Sequence, residues 1–329
     1  MALTDLPLDQ LRTMTLATPP PADLEEFWLA TITEAREHPL LLERSVIESP
    51  LRRTTTWDLT FGGFDGQPIK AWLQLPADAD GPLATLVEFH GYSGSRGVPL
   101  ASSWVDAGYA HLQMDSRGQG WYTPSLHDLT PDWGADVATN GAPGMMTRGA
   151  SDPQTYYFRR LITDAVRLVE LAASLDEVDQ DRIAVHGGSQ GGALTIAAAG
   201  ICPLTGTPVA AAMPDVPFLC SIERAIDVAT AGPYPEVEAF LKARPQDGPQ
   251  ILATLNYVDG VHLGRWATCP AFFSVALRDP ICPPSTVFQA FNAWGGTDTQ
   301  IEVYPWNGHE GGREIHTWKQ LDWLAKQFG

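Results

Sequence analysis

Ile183-Ala184-Val185-His186-Gly187-Gly188-Ser189-Gln190-Gly191-Gly192, running on into Ala193-Leu194-Thr195-Ile196-Ala197-Ala198-Ala199, is the stretch that organises the chain. A short apolar run ends at a serine set among glycines, and a run of small residues follows at once. That is strand, sharp turn, helix. The glycines are there for a steric reason. A serine held in a strained conformation at the tip of a tight turn needs neighbours without side chains, so that strand and helix can approach. The helix behind it aims free N–H groups and a positive dipole end at any negative charge formed beside the serine. A glycine-rich turn also follows many strands for structural reasons alone, so the context has to decide.

Working outward, residues 54–61 and 69–75 are rich in β-formers, and 62–66 between them reads as a hairpin loop. Strands are expected at 84–89, 109–114, 209–213, 271–277 and 301–304, with helices near 100–106, 156–175, 285–294 and 315–328. In the helix at 156–175, Tyr157, Leu161, Ala165, Leu168 and Leu171 share one face. Strands alternating with helices after an antiparallel start imply a mostly parallel sheet with helices on both faces, an α/β fold. Before it, residues 1–50 form an N-terminal extension with a helical pattern from 23 to about 41 (Leu24, Phe27, Trp28, Ile32). Residues 218–266 read as a mostly helical insertion over the sheet, and 116–152 as a long loop of functional or interfacial kind. A single domain spanning 1–329, with no internal repeat, accounts for the whole pattern.

Of the 329 residues, 44% are hydrophobic, enough for a sizeable core. The net charge is −18, with 39 acidic against 21 basic residues, a surface that repels phosphate backbones and anionic membranes. Nucleic-acid and membrane partners are therefore not expected. Cys202, Cys220, Cys269 and Cys282 have no C-x-x-C spacing; buried thiols are the usual role beside apolar segments, and a Cys220–Cys282 bridge stays open. The first residues lack the basic and apolar regions of a signal peptide, and no run of 18 apolar residues is present, so a soluble cytoplasmic protein is expected.

Three residues at expected strand ends carry chemistry. Ser189 follows one strand, Asp279 follows 271–277 by two residues, and His309 lies in the loop after the last strand. A serine hydroxyl is a poor nucleophile until an imidazole accepts its proton, and a carboxylate holds that imidazole in the useful tautomer. Each also has a plain reading: Asp279 before Pro280 as a turn former, His309 as a loop histidine. Their order, serine then aspartate then histidine, is that of the α/β-hydrolases, whose nucleophile turn is G-x-S-x-G; Gly187-Gly188-Ser189-Gln190-Gly191 fits it. Two backbone donors for an oxyanion hole are expected at Gln190 and at Tyr92 in His90-Gly91-Tyr92-Ser93-Gly94. His186 and His90 read as packed supporting residues, His316 as part of the last helix, and no residue spacing suggests a metal centre.

With these residues assembled, the chain resembles the acetyl xylan esterase/cephalosporin C deacetylase family, carbohydrate esterase family 7. The likeness rests on Arg117-Gly118-Gln119, Gly187-Gly188-Ser189-Gln190-Gly191 and His309-Glu310, with matching context in Met114-Asp115-Ser116 and Asp279-Pro280-Ile281-Cys282-Pro283-Pro284-Ser285-Thr286. The resemblance implies an α/β-hydrolase fold with Ser189 as nucleophile, His309 as base and Asp279 as its orienter, and the N–H groups of Tyr92 and Gln190 as oxyanion donors. It implies cofactor-free deacetylation of acetylated xylo-oligosaccharides and cephalosporin C, a perhydrolase side activity, and a homohexamer. Tyr92, Pro233 and Ile281 are its candidates for the acyl pocket. Arg117, Gln119 and Glu310 are expected to support the loops, an arginine beside a glutamate being able to pin two of them. A longer-chain esterase or peptidase of the same fold, and a non-catalytic binding protein, are the rival readings.

Overall fold

The computed structural model describes residues 5–100, 102–133 and 144–329. In chain order its elements are α1 (Leu8–Leu11), α2 (Leu24–Arg36), β1 (Leu41–Val46), β2 (Thr54–Gly62), β3 (Pro68–Pro76), β4 (Leu83–Phe89), α3 (Ser103–Asp106) and β5 (Ala110–Met114). There follow α4 (Tyr157–Ser174), β6 (Val178–Gly188), α5 (Gln190–Leu204), β7 (Ala211–Asp215), then α6 (Ile222–Val228), α7 (Tyr234–Ala243), α8 (Gly248–Leu255) and α9 (Gly260–Leu263). The chain ends with β8 (Ala271–Ala276), α10 (Pro284–Ala293), β9 (Thr299–Tyr304) and α11 (Arg313–Phe328).

All nine strands form one sheet in the order β1-β2-β3-β5-β4-β6-β7-β8-β9. The first three are antiparallel, β3 meets β5 antiparallel, and every pairing from β5 to β9 is parallel. The central strands are apolar on both faces because both are covered. Val87, Phe89, Val185, Ala212 and Phe273 belong to the large core that α4, α5 and α10 complete. Leu86, Ala184, Met213 and Phe272 face the other way, against Trp104 of α3 and Trp323 and Leu324 of α11. Each large buried side chain contributes roughly 1.5–3 kcal/mol relative to exposure. The expected helical face of α4 is present, with Leu161, Ala165 and Leu168 fully buried.

One element departs from expectation. The helix starting near residue 23 stops at Arg36 rather than continuing to 41, because Pro39 cannot extend it, and the chain then adds an edge strand, β1, to the sheet. Leu41, Leu42 and Val46 are exposed along it, so an edge strand lacking alternation leaves no periodic signature. The N-terminal segment therefore builds part of the sheet as well as packing on it. The strand expected at 209–213 lies at Ala211–Asp215, which carries Asp215 to the carboxyl end of the sheet. Helices α6 to α9 fill the segment expected to be a helical insertion. Part of the long loop, 134–143, and residues 1–4 of the extension lie outside the described residues. The four cysteines are free and buried, so Cys220 and Cys282 form no bridge. Among the described residues, no helix is long and apolar enough to cross a membrane.

Candidate active site

β6 delivers Ser189 to the carboxyl end of the sheet, and α5 starts at the next residue. The backbone of Ser189 is left-handed, φ 57° and ψ −117°, a conformation costly for any residue with a side chain. It persists because the turn is over-determined. Ser189 N–H donates to the Asp215 carbonyl at 2.9 Å, and the Ser189 carbonyl accepts from Ala193 (3.0 Å) and Phe218 (2.9 Å). The flanking glycines do what steric reasoning asks of them. A Cβ on Gly187 would lie 2.6 Å from the Phe89 carbonyl oxygen, and one on Gly191 would overlap the same atom. Gly188 has open space, its nearest neighbour being Asp215 Cβ at 3.9 Å.

Asp279 and His309 arrive on the loops after β8 and β9. These two loops are joined, Arg278 N–H donating to the Asn307 carbonyl at 3.1 Å. Asp279 is fully buried; its Oδ1 accepts the N–H groups of Ile281 (2.8 Å) and Cys282 (2.9 Å), leaving Oδ2 for His309 Nδ1 at 2.8 Å. His309 Nε2 lies 2.9 Å from Ser189 Oγ. The three sequence candidates thus meet in one hydrogen-bonded line, beside a cavity of about 280 Å³ that Ser189 and His309 help to line. Chemically, the line can pass the Ser189 proton to an imidazole whose other nitrogen is held by a carboxylate.

The predicted oxyanion donors flank this line. Gln190 is the first residue of α5, so its N–H has no acceptor within its own helix. The loop bearing Tyr92 abuts the serine: a Cβ on Gly91 would lie 3.9 Å from Ser189 Cβ. Gln119 connects the two sides. Its Oε1 accepts Ser93 N–H at 2.6 Å, and its Nε2 donates to Gln190 Oε1 at 2.8 Å. The same Nε2 lies 2.9 Å from Tyr157 OH, which donates to the Arg117 carbonyl at 2.6 Å.

Arg117 is where the expected loop pinning fails. It does not pair with Glu310. Its buried guanidinium makes a two-point contact with Asp164 of α4 (Nε–Oδ2 2.6 Å, Nη2–Oδ1 2.7 Å) and donates to Gln67 Oε1 at 2.5 Å. Glu310 is exposed and acts locally, its Oε2 accepting Gly308 N–H at 3.1 Å within the His309 loop. None of the acyl-pocket candidates Tyr92, Pro233 and Ile281 lines the cavity at Ser189. Pro233 follows Gly232, on which a Cβ would lie 2.5 Å from Ile281 Cγ2. Tyr92 OH donates to Glu236 of α7 at 3.0 Å and accepts Met145 N–H at 3.0 Å. Burial holds the Glu236 carboxyl above its ordinary range.

Several residues of the site carried no sequence signal. Asp164, Tyr157 and Glu236 read only as helix positions. The Cys282 thiol lies against Ser189, and burial, with Asp279 nearby, pushes it well above its ordinary pKa. Among the described residues, the grouping of His, Cys and acidic side chains with donor atoms within 4.8 Å of one another is Asp279, Cys282 and His309. Its histidine and aspartate already hold each other and the serine, so it belongs to the Ser189 line.

The parallel sheet, the left-handed serine turn and the helices on both faces define an α/β-hydrolase fold. A model of the acetyl xylan esterase (AXE1) family matches residues 1–327, and the chain belongs to that family. It is thereby a carboxylic ester hydrolase. An acetyl xylan esterase from Paenibacillus sp. R4 superposes with a TM-score of 0.85 at 32% identity, covering 98% of this chain and 99% of that one. Acetyl xylan esterase 1 from Thermoanaerobacterium sp. JW/SL YS485 gives 0.85 at 30% identity, covering 99% and 100%. The acetyl esterase Axe7A of Xylanibacter ruminicola is 26% identical over 313 residues, 93% of this chain and 67% of that protein.

Proposed function

We propose that the chain is a serine esterase that removes acetyl groups from small substrates, acetylated xylo-oligosaccharides and cephalosporin C among them. The observation that carries this is the Ser189–His309–Asp279 line, with bonds of 2.9 and 2.8 Å at the start of α5. Ser189 Oγ attacks the acetyl carbonyl as His309 Nε2 takes its proton; the alcohol leaves with that proton, and an acetyl-enzyme remains. Water then adds by the same route. The N–H groups of Gln190 and Tyr92 receive the oxyanion, and the alignment of Asp279 on Nδ1 stabilises the imidazolium.

Tyr92, Pro233 and Ile281 limit the acyl group to a short one in this reading, which calls on no cofactor. Peroxide competing with water at the acetyl-enzyme, a homohexameric assembly and a cytoplasmic location are extensions drawn from the family resemblance.

The test is a rate series on p-nitrophenyl esters from acetate to octanoate, with Ser189→Ala as the blank. A steep fall beyond propionate supports the reading, and acetylated xylo-oligosaccharides and cephalosporin C follow as substrates. A maximum at butanoate or longer overturns the acetyl preference and leaves a hydrolase of other scope. Full activity in Ser189→Ala overturns the nucleophile.

A further inference from the structure

His309 reaches Ser189 from a loop whose two ends are tied together at a second carboxylate. The loop runs from Tyr304, the last residue of β9, to Arg313, the first of α11. The Tyr304 ring packs so closely on Gly312 that a Cβ there would overlap it. The Tyr304 hydroxyl lies 3.0 Å from Nδ1 of His316, in the first turn of α11. The other nitrogen of that ring, Nε2, is 2.8 Å from Asp215 Oδ1. With Tyr304 donating to Nδ1, the neutral imidazole presents its Nε2–H to the carboxylate. One turn further along α11, Gln320 Nε2 donates to both Asp215 oxygens, at 3.0 and 3.1 Å.

Asp215 is also part of the serine turn. It ends β7 beside Gly188 in the parallel ladder, and its carbonyl accepts Ser189 N–H at 2.9 Å. Its Oδ2 lies 3.3 Å from Nε2 of His186 on β6, the strand that delivers the serine. The next residue, Val216, meets the His309 loop directly: a Cβ on Gly311 would lie 3.6 Å from Val216 Cγ1. His316 is buried, its ring centroid 5.0 Å from that of Phe272, so it has little freedom to turn. The backbone of Asp215 thus holds the nucleophile, and its side chain holds the helix that follows the base.

Asp279 aligns the imidazole within its own pair of loops, since Arg278 N–H donates to the Asn307 carbonyl, but that does not fix the pair against the serine turn. The bond from His309 Nε2 to Ser189 Oγ cannot do so either. It is lost when Ser189 carries an acyl group, and water must then take the place of the hydroxyl. A connection that lasts through the cycle has to run through groups that do not react. We infer that Asp215, acting through His316 and Tyr304, is a positioning residue that sets the separation of His309 from Ser189. In this role it touches no reacting atom, and the inference rests on the serine esterase reading above. Misplacing such a pair by ~1 Å costs about 10²-fold in rate, which sets the size of effect to look for.

Four variants of the full-length chain test it. Asp215→Asn keeps the backbone carbonyl but loses an acceptor oxygen, and His316→Phe keeps a ring without its nitrogens. His316→Gln can still give an amide N–H to Asp215, and Tyr304→Phe removes one hydroxyl. Each is assayed on p-nitrophenyl acetate, and by the rate and extent of Ser189 labelling with a fluorophosphonate, read by intact mass. Asp215→Asn and His316→Phe should each lower kcat by about 10²-fold with KM nearly unchanged, and slow labelling in parallel. Combined, they should be little slower than either alone, because both cut one connection. His316→Gln should recover about tenfold of the loss, and Tyr304→Phe should lose about threefold. Labelling should still run to completion, since a misplaced base slows the reaction but leaves every folded site reactive. Fewer labelled sites at the parental rate, a KM effect with kcat intact, or His316→Gln no better than His316→Phe would overturn the positioning role and leave the esterase reading standing. If Asp215→Asn and His316→Phe do not fold, Tyr304→Phe decides, and parental kcat in it overturns the inference. A parent protein that is not labelled at Ser189 would overturn both readings.

Discussion

Gln119 donates from Nε2 to Gln190 Oε1 at 2.8 Å, and through its Oε1, 2.6 Å from Ser93 N, it also holds the residue next to Tyr92. One side chain therefore spans the two backbone segments that would receive the oxyanion, without touching the serine line itself. Gln119→Ala should lower kcat for a soluble acetyl ester by about 10²-fold, near the effect of losing one oxyanion donor, with little change in KM. Gln119→Glu keeps the acceptor for Ser93 and loses the donor to Gln190, so it should fall between the two. Steady-state kinetics on the three proteins check this; a KM effect with kcat intact would contradict it.

The serine turn separates two kinds of glycine. Gly191→Ala drives a methyl group into the Phe89 carbonyl, whereas Gly188→Ala finds open space. Gly191→Ala should cost about 1–3 kcal/mol or more, seen as a lower urea midpoint. Gly188→Ala should leave the midpoint nearly unchanged.

Arg117 and Asp164 are both fully buried, and Asp164 Oδ1 also accepts Phe64 N–H at 2.9 Å. Arg117→Met strands the carboxylate and should cost about 3–5 kcal/mol. Arg117→Lys cannot reproduce the two-point contact and should also destabilise. The double variant Arg117→Met/Asp164→Leu should regain much of the loss, because the two partners leave together and Asp132, the other buried carboxylate beside Arg117, keeps Arg148 and Arg160. Equilibrium unfolding of the parent, Arg117→Met, Asp164→Leu and the double variant closes the cycle, with Arg117→Lys measured beside them.

His262 on α9 is buried, both ring nitrogens lack partners among the described residues, and burial with Arg265 nearby takes its pKa from 6.5 down to about 4. The unfolded chain thus binds this proton more readily than the folded one. The contribution is whole above the unfolded value and is lost as pH falls from about 6.5 towards 4, at up to about 1.4 kcal/mol per pH unit. His262→Leu should flatten that part of the stability curve. Parallel slopes for the two proteins in urea titrations across this range would rule the linkage out.

The central strands and their order of helices were legible because a strand buried on both faces reads as a continuous apolar run. Ser189, Asp279 and His309 were legible as strand-end residues, since the fold gathers those ends in one place. Edge strand β1 was not, because its side chains are mostly exposed and follow no period. The partner of Arg117 was not legible either. It lies 47 positions away on a helix whose polar residues look, in sequence, like an exposed face, yet Asp164, Arg167 and Glu170 of that helix are buried. The cluster around Asp215 was equally hidden. His186, Asp215, Tyr304 and His316 are scattered in sequence, and only the fold sets them together.

The four buried thiols have a use beyond packing. Cys202 sits in the helix behind Ser189, Cys269 just before β8, Cys220 after β7, and Cys282 against the serine itself. A thiol reagent cannot reach any of them while the native packing holds, so its reaction rate with each one measures how often that neighbourhood opens. The chain carries its own set of timers for local breathing, one of them placed against Ser189.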